Sequence, residues 1–240
     1  MNIFAISDLH LSISTPKPMD IFGEIWENYT EEIAKDWNEK VTDDDIVLLA
    51  GDFSWAMYLE DAVKDYDYLY GLKGRKVMIR GNHDYWWQSI SAVRNSARKD
   101  IFFLQNDCVK FGNVVICGTR GWTVPERNKT QSDEDLKIYK RELIRLELAL
   151  QSAKKVMAEG DTLITMIHYP PFNSTLDDSD FTNLLDKYGV NICVFGHLHG
   201  KKTRSIMESN KHGIKYFLTS CDTLENKLKF ICSGVENSKK

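Results

Sequence analysis

The sequence predicts an α/β protein in which helices cover the faces of β-sheet. Short apolar runs rich in Ile, Val and Phe recur along the chain, and segments with helical spacing of apolar residues lie between them. Such alternation is typical of sheets whose faces are covered by helices. We find no internal repeat, low-complexity tract or Pro/Gly/Ser-rich linker, so we expect one domain over residues 1–240.

The elements follow in order along the chain. Six short apolar runs, each bounded by polar or turn-forming residues, predict buried strands at 2–7, 45–50, 76–80, 113–118, 162–168 and 191–196. Helical spacing of apolar residues predicts helices at about 21–38, 57–72, 88–98 and 133–158. Later short runs around 205–209, 214–220 and 227–232 predict antiparallel strands that complete the sheets.

The predicted helix over 133–158 is the most regular of these segments. Leu136, Tyr139, Leu143, Leu146 and Leu150 share one face, and oppositely charged residues recur four positions apart. A helix inserted here is consistent with a lid or a dimer surface. Ordinary packing of a helix on a sheet explains the pattern equally well.

Composition narrows the class of protein. The chain has 31 basic and 35 acidic side chains, which does not favour a strongly basic nucleic-acid-binding protein. Its five cysteines are odd in number and irregularly spaced, so we expect a reduced, cytoplasmic protein. Neither a signal peptide nor an apolar segment of roughly 20 residues is evident, so we expect neither export nor membrane insertion.

Candidate functional residues collect at the predicted strand ends. Five of the six histidines lie there or in the loop just beyond: His10, His83, His168, His197 and His199. Asp8, Asp52 and Asn82 accompany them, at the edge where α/β sheets bind ligands. Each cluster alone is explained by a solvated turn or a helix cap, but their joint occurrence favours a site. His212 lies in a predicted turn outside this set.

The residue types indicate a metal site. Carboxylate, amide oxygen and imidazole suit Mn²⁺, Fe or Zn²⁺, whereas a structural zinc site normally uses cysteines, and none lies near these clusters. One carboxylate can hold two ions about 3.5–4 Å apart, and Asp52 is the natural candidate. Two divalent ions, two aspartates and a bridging hydroxide leave a charge of about +1, which favours an anionic substrate.

The ordered motifs resemble those of a known family. DLH (8–10), GDFSW (51–55), GNHD (81–84), His168 and GHLH (196–199) are similar to the D-x-H, G-D, G-N-H-[DE], H and G-H-x-H motifs of the calcineurin-like metallophosphoesterases. The resemblance covers residues 8 to 199 without departure. It implies a four-layer αββα sandwich, with two mixed sheets, helices outside them, and a metal site at the strand ends.

The resemblance also implies a role for each residue. Asp8, His10, Asp52 and His199 would hold one metal, and Asp52, Asn82, His168 and His197 the other. His83 would protonate or stabilise the leaving oxygen, and Asp84 would orient its ring. The expected activity is hydrolysis of a phosphomonoester or phosphodiester by a hydroxide that bridges two divalent ions, Mn²⁺ first, with Fe or Zn²⁺ as alternatives. A phosphorylated small molecule or nucleotide is the expected substrate.

Three other functions are alternatives to phosphoester hydrolysis of a small molecule. A nuclease acting on DNA or RNA is possible within such a superfamily, although the slight acidic excess and the lack of a basic run count against it. Protein phosphatase activity is also open, but no peptide groove is indicated. A non-catalytic interaction module on the same fold would have lost ligands, whereas here the full set is present.

Two groups of residues near the motifs have two interpretations each. Arg120 and Arg127 could clamp a phosphate or could be ordinary surface arginines. Aromatic residues of the motif loops could form an apolar mouth that stacks a base, ring or acyl group, or could simply pack helices onto the sheet edges. They are Phe53, Trp55, Tyr85, Trp86, Trp87, Trp122 and Tyr169.

Overall fold

The computed structural model describes residues 1–127, 129–200 and 207–235. Its strands are β1 Asn2–Ile6, β2 Ile46–Leu49, β3 Arg75–Ile79, β4 Ile101–Leu104, β5 Asp107–Phe111, β6 Val114–Thr119, β7 Thr162–Ile167, β8 Ile192–Phe195, β9 Glu208–Lys211, β10 Ile214–Leu218 and β11 Lys229–Ser233. Its α-helices are α1 Tyr29–Lys40, α2 Leu59–Tyr70, α3 Ile90–Ser96, α4 Asp133–Val156 and α5 Asp180–Lys187. Two short 3-10 helices, Asp20–Phe22 and Glu24–Trp26, precede α1.

The strands form two mixed sheets. The first has the order β11-β1-β2-β3-β4 and the second the order β5-β6-β7-β8-β10-β9. Strands β1 to β4 run parallel, and β11 pairs with β1 in the antiparallel sense. In the second sheet the central strands β6, β7, β8 and β10 are parallel, with antiparallel strands β5 and β9 at its edges.

Alternation along the strands explains how the layers stack. In β1, Ile3 and Ala5 belong to a core between the two sheets, together with Ile164 and other residues of the second sheet. Phe4 and Ile6 point the other way, into a second core shared with α1, α2 and α3. A third core lies between the second sheet and α4 and α5. Because successive strand residues face opposite sides, these three cores separate four layers. The predicted αββα sandwich is confirmed.

Helix α4 packs as part of an outer layer. Its buried residues Tyr139, Leu146, Ala149 and Leu150 belong to the core beneath the second sheet. Ser132 caps its N-terminus by accepting a hydrogen bond from the Asp135 N–H. Packing on the sheet therefore accounts for the apolar spacing of this helix.

The structure differs from the sequence prediction in several elements. The predicted helix over 21–38 is interrupted at Gly23 and Asn28, whose φ angles are 123° and 50°, so α1 begins only at Tyr29. Strand β10 runs parallel to β8 instead of completing the sheet in the antiparallel sense. Helix α5 was not predicted, although Ser179 and Thr182 form a capping box at its start.

Two further expectations concern the strand predicted around 205–209 and the membrane. Residues 205 and 206 of the strand predicted around 205–209 lie outside the described residues, and the strand found there is β9. Within the described residues, no helix has the length and apolarity that a bilayer crossing requires.

Candidate active site

The carboxyl ends of the central strands of both sheets meet at one place. The Ser7 N–H after β1 donates to the Thr219 carbonyl after β10 at 2.7 Å, and the Thr219 N–H donates to the Phe195 carbonyl of β8 at 2.8 Å. Nδ1 of His168, after β7, lies 2.9 Å from the Ala50 carbonyl oxygen, after β2. The loops that carry the predicted motifs therefore share one region.

These loops hold several residues in an unfavourable backbone conformation. Asp8, His10, Asp52 and His197 have φ angles of 57°, 45°, 52° and 71°. A left-handed conformation costs a non-glycine residue roughly 1–2 kcal/mol. Such conformations persist where surrounding contacts enforce them, and they cluster at functional sites.

Two motif glycines are required by close approach. A Cβ atom on Gly81 would clash with the carboxylate of Asp52, and one on Gly196 would clash with the carboxylate of Asp8. Any side chain at either position would displace a carboxylate of the site. The glycines of the GNHD and GHLH motifs therefore allow the two loops to pass directly against the aspartates.

The predicted ligands form two overlapping groups. Ligand atoms of Asp8, His10 and His199 lie within 4.8 Å of one another, as do those of Asp8, Asp52 and His168. His199 Nε2 is 3.5 Å from Asp8 Oδ1. Both groups have the donor types and the spacing of a metal site.

Asn82 and Asp52 contact the remaining predicted ligands. Asn82 Oδ1 lies 2.8 Å from His168 Nε2 and 2.8 Å from His197 Nδ1. Asp52 Oδ2 lies 3.4 Å from His168 Nε2 and 3.8 Å from His10 Nε2. The structure thus brings all seven predicted ligands together, with Asp8 in both groups and Asp52 near a histidine of each.

The buried carboxylates of the site favour the binding of cations. Asp8 and Asp52 are almost completely buried, and within the described part of the chain neither pairs with a lysine or an arginine. Burying an unpaired carboxylate is strongly unfavourable. Burial by itself raises the pKa of Asp8, yet the hydrogen bond from His199 and the nearby imidazoles bring it well below its usual range. Bound divalent ions would balance these carboxylates directly.

When no metal is bound, protons on His168 and His199 balance the negative charge of the two aspartates. Burial alone lowers the pKa of His168. The charge and hydrogen bond of Asp52, the charge of Asp8 and the hydrogen bond to the Ala50 carbonyl together outweigh burial and raise the pKa to about 9. Burial also lowers the pKa of His199, but its hydrogen bonds to Asp222 and Asp8 have the opposite effect. The result is a pKa raised to about 10. Burial dominates at His10 and lowers its pKa to about 4, so this ring is neutral and able to bind metal.

His83 lies beside the ligands without belonging to either group. Its backbone N–H donates to Asp52 Oδ1 at 2.8 Å. Its ring centroid is 4.7 Å from the ring of Trp55 and 5.6 Å from that of His10, and its buried Nδ1 has no hydrogen-bond partner among the described residues. Burial lowers the pKa of His83. The imidazole thus lies beside the ligand cluster and lines a pocket.

The carboxylate of Asp84 lies beneath the motif loops. It is fully buried, and among the described residues His83 Nδ1 makes no hydrogen bond to it. It instead accepts hydrogen bonds of 2.7 to 3.3 Å from five N–H groups. These are the backbone N–H groups of Asp52, Phe53, Ser54 and Gly81 and the indole N–H of Trp86. Asp84 thus fixes the Asp52 loop against the GNHD loop.

Comparison with known proteins agrees with this geometry. The sequence profile of the calcineurin-like phosphoesterases matches residues 1–201. The chain belongs to the calcineurin-like phosphoesterase family. Members of this family act on phosphoester bonds with the help of bound metal. No curated protein sequence matches the chain.

Solved structures of low sequence identity share the fold. The phosphopantetheinyl hydrolase of Mycobacterium tuberculosis matches with a TM-score of 0.57 and 13% identity, over 100% of this chain and 98% of that chain. A protein of unknown function from Aquifex aeolicus matches with a TM-score of 0.52 and 12% identity, over 95% of each chain. At this identity the likeness concerns the fold alone.

A pocket of about 870 Å³ opens beside the ligands of this phosphoesterase. Its polar side is formed by His10, His83 and His199. Its apolar lining, here called the apolar wall, is formed by Met19, Phe22, Ile25, Trp26 and Trp55. The pocket joins the candidate centre to the segment of short 3-10 helices before α1.

The aromatic residues of the motif loops divide between the two interpretations. Phe53, Trp86 and Trp87 are buried in the core under α1, α2 and α3, so they pack the helices onto the sheet. Trp55 stacks on the ring of His10 at 4.7 Å and lines the pocket. Tyr169 contacts the ring of His197 at 4.2 Å. Sequence reasoning did not single out Trp26, which the structure also places in the pocket.

Among the described residues, neither arginine side chain is paired with a predicted metal ligand, although the Arg120 carbonyl accepts a hydrogen bond from the His168 N–H at 3.0 Å. Arg127 pairs with Asp177, at 2.7 Å from Nε to Oδ2. Arg120 lies 3.5 Å from the buried carboxylate of Glu142, and its guanidinium is 4.9 Å from the ring centre of Trp122.

Two residues that support the ligands were missed. Asp222 Oδ1 lies 3.0 Å from His199 Nδ1, and its Oδ2 accepts a hydrogen bond from the Gly200 N–H at 2.8 Å. The Ser220 hydroxyl donates to Asp8 Oδ2 at 2.9 Å. Both follow the end of β10. The signal was present in the polar residues after a predicted strand, but an antiparallel strand would have placed them at the opposite edge of the sheet.

Proposed function

We propose that this phosphoesterase hydrolyses a phosphomonoester or phosphodiester at a centre of two divalent metal ions. The observation that carries the proposal is the meeting of two aspartates, one asparagine and four histidines at the junction of the sheets. Asp52 contacts one histidine of each half of the cluster, which supports its role as the shared ligand.

The ligands divide between two ions. Asp8, His10 and His199 would hold one ion together with Asp52, and their atoms already lie within reach of a common point. Asn82, His168 and His197 would hold the other, again together with Asp52. Asp222 would orient His199 through the ring nitrogen that faces away from Asp8.

The metals expected are Mn²⁺ first, with Fe or Zn²⁺ as alternatives. The absence of cysteine from the candidate metal groups and their mixture of oxygen and nitrogen donors support this set of metals. When bound, the ions supply positive charge to the phosphoryl oxygens and lower the pKa of a water molecule that attacks phosphorus.

Residues of the chain supply the remaining steps. His83 borders the pocket and would donate a hydrogen bond or a proton to the departing oxygen. The nearby negative charge of a bound phosphate would raise the pKa of His83, opposing the effect of burial. Asp84 would act on this reaction indirectly, by keeping Asp52 and the backbone of His83 in place.

A phosphorylated small molecule or nucleotide is the proposed substrate, and the cytoplasm the proposed location. The five cysteines are free, which supports a reducing compartment. We also propose a single domain, because β11 near the end of the chain pairs with β1 at its start.

Hydrolysis of p-nitrophenyl phosphate and bis(p-nitrophenyl) phosphate tests the activity. Protein loaded with Mn²⁺ should release p-nitrophenol from at least one of the two esters, and removal of the metal by a chelator should stop the release. Elemental analysis confirms that the sample is loaded. A fully loaded sample that cleaves neither ester would contradict the proposal.

A further inference from the structure

The pocket lies on the side of the centre from which a leaving group would depart. Its polar side includes His83, which under the proposed function faces the leaving oxygen, as well as the ligands His10 and His199. A phosphoryl group held at the metals would therefore direct its alcohol portion into the pocket. Its volume of about 870 Å³ falls within the range of roughly 300–1,000 Å³ for small-molecule sites.

The apolar wall exposes side chains that a folded protein normally buries. Phe22 is 58% exposed and Ile25 is 37% exposed, although both are large and apolar. Gly23, at a φ of 123°, separates the two 3-10 helices. An apolar surface of this kind beside a polar centre is typical of a ligand-binding site.

The apolar wall is also anchored at its inner end. Trp26 is buried, with its ring 5.9 Å from that of His199. Trp55 donates its indole N–H to the sulfur of Met19 at 3.2 Å. Both tryptophans therefore connect the apolar wall directly to metal ligands, because Trp55 also stacks on His10.

The described lining favours an uncharged leaving group. Among the lining residues that the structure describes, Glu24 and Asp222 carry carboxylates, and none is a lysine or an arginine. The ammonium group of Lys17 contacts the ring of Trp55, 2.9 Å from its centre. A second phosphate or a carboxylate on the alcohol portion would lie beside apolar side chains and the carboxylate of Glu24, which disfavours its binding. A polyhydroxylated group would lose hydrogen bonds to water without finding enough partners on the apolar wall.

We propose that the pocket binds an uncharged, apolar alcohol portion of the substrate, an alkyl chain or an aryl group. This inference rests on the proposed function and defines the class of ester on which it acts. The phosphoryl group lies at the metal centre, and the apolar portion lies between Trp26, Trp55 and the side chains of Phe22 and Ile25.

A matched pair of esters tests this inference. Hexyl phosphate and glucitol 6-phosphate both have six carbons and a primary phosphoester, and they differ in the hydroxyl groups of the chain. Protein loaded with Mn²⁺ should hydrolyse hexyl phosphate with a kcat/KM at least tenfold higher than that for glucitol 6-phosphate. Released phosphate measures hydrolysis of the monoesters, and released hexanol or glucitol measures hydrolysis of the corresponding methyl diesters. Each buried methylene group favours binding by roughly threefold to fourfold.

Variants of the apolar wall assign the preference to the pocket. Phe22→Ala and Ile25→Ala should each lower the ratio of the two kcat/KM values, by roughly tenfold and fivefold. Leu148→Ala serves as the control, because Leu148 is similarly exposed, at 48%, but lies on α4. It should leave the ratio unchanged.

The outcomes separate this inference from the proposed function. Equal hydrolysis of both esters, or a ratio that neither Phe22→Ala nor Ile25→Ala changes, would overturn the apolar pocket and leave the phosphoesterase standing. Hydrolysis of neither ester, as monoester or diester, by fully loaded protein would overturn the proposed function and this inference with it.

Discussion

The two sides of the pocket differ in how the chain holds them. On the metal side, Asp84 alone accepts hydrogen bonds from five N–H groups, and both aspartates of the cluster are buried. On the opposite side, backbone hydrogen bonds of the 3-10 helices are local, as from Phe22 to Met19. Asn226 adds a longer contact by donating its amide to the Ile25 carbonyl at 2.7 Å.

Under the proposed function, the two sides of the pocket divide catalysis from substrate selection. Metal ligands and a residue that contacts the leaving oxygen must be held within fractions of an ångström, and dense hydrogen bonding around them achieves this. A surface that recognises apolar groups by burial needs no such directionality. Substitutions on the metal side should therefore change metal content, turnover and stability, while those on the apolar wall should change selectivity.

The largest effect is expected from Asp52→Asn. Asparagine tolerates the left-handed backbone of this position but removes the charge shared by both proposed ions. We expect metal content to fall from two ions to fewer than one, and ester hydrolysis to fall to the level of metal-free protein. Elemental analysis after gel filtration measures the content. Retention of two ions by the variant would show that Asp52 is not the shared ligand.

His83→Ala and Asp84→Ala together distinguish a group that acts on substrate from one that holds the loops. Loss of His83 should lower kcat by about 10²–10⁴-fold while both metals stay bound. Loss of Asp84 leaves five buried donors without their partner, and should lower the free energy of unfolding by about 3–5 kcal/mol.

Urea titration of both variants provides the comparison. If Asp84 instead oriented the ring of His83, Asp84→Ala would lower kcat as His83→Ala does and would leave the urea midpoint close to that of the unchanged protein. That result would support the role predicted for Asp84 from the family resemblance.

Metal binding should release protons. In the metal-free protein His168 and His199 have pKa values raised to about 9 and about 10, so both are protonated at pH 7. A bound metal requires the neutral rings, so affinity should rise with pH and level off above about 10. Below pH 9 the expected slope is up to about tenfold per pH unit for each proton released.

Calorimetry in buffers of different ionisation enthalpy measures this release. At pH 7 the observed heat of Mn²⁺ binding should depend on the buffer with a slope of about two protons. A heat independent of the buffer would contradict the proposed exchange of protons for metal.

The smallest effect is expected from Asp222→Asn. The carboxylate of Asp222 holds His199 by a 3.0 Å contact to Nδ1, and loss of such a supporting group typically weakens metal binding by about 10–100-fold. Asp178→Asn is a matched control, because Asp178 contacts His212 at 2.9 Å on the exposed surface. Equal metal affinities of the two variants would show that Asp222 does not support metal binding by His199.

Much of the candidate site could be predicted because its residues follow buried strands. Asp8, Asp52 and Asn82 come directly after or close to the apolar runs that form β1, β2 and β3. Since the ends of parallel strands meet at one edge, their proximity in space follows from the pattern. The same reasoning placed His168 and His197 after β7 and β8.

Contacts that depend on tertiary geometry could not be predicted in the same way. Asp84 follows His83 in sequence, but its carboxylate turns inward to the N–H groups of a different loop. Asp222 depends on the direction of β10, which composition does not specify. The apolar wall could not be predicted either. Ile21, Ile25 and Trp26 have the spacing of one continuous helix, but Gly23 interrupts that helix in the structure.

Under the proposed function, two metal ions lie among these seven side chains. Anomalous diffraction from crystals soaked in Mn²⁺ tests their presence. We expect two peaks about 3.5–4 Å apart, with the carboxylate of Asp52 between them and His83 bound to neither. A single peak, or no peak among these residues in crystals of folded protein, would contradict the account.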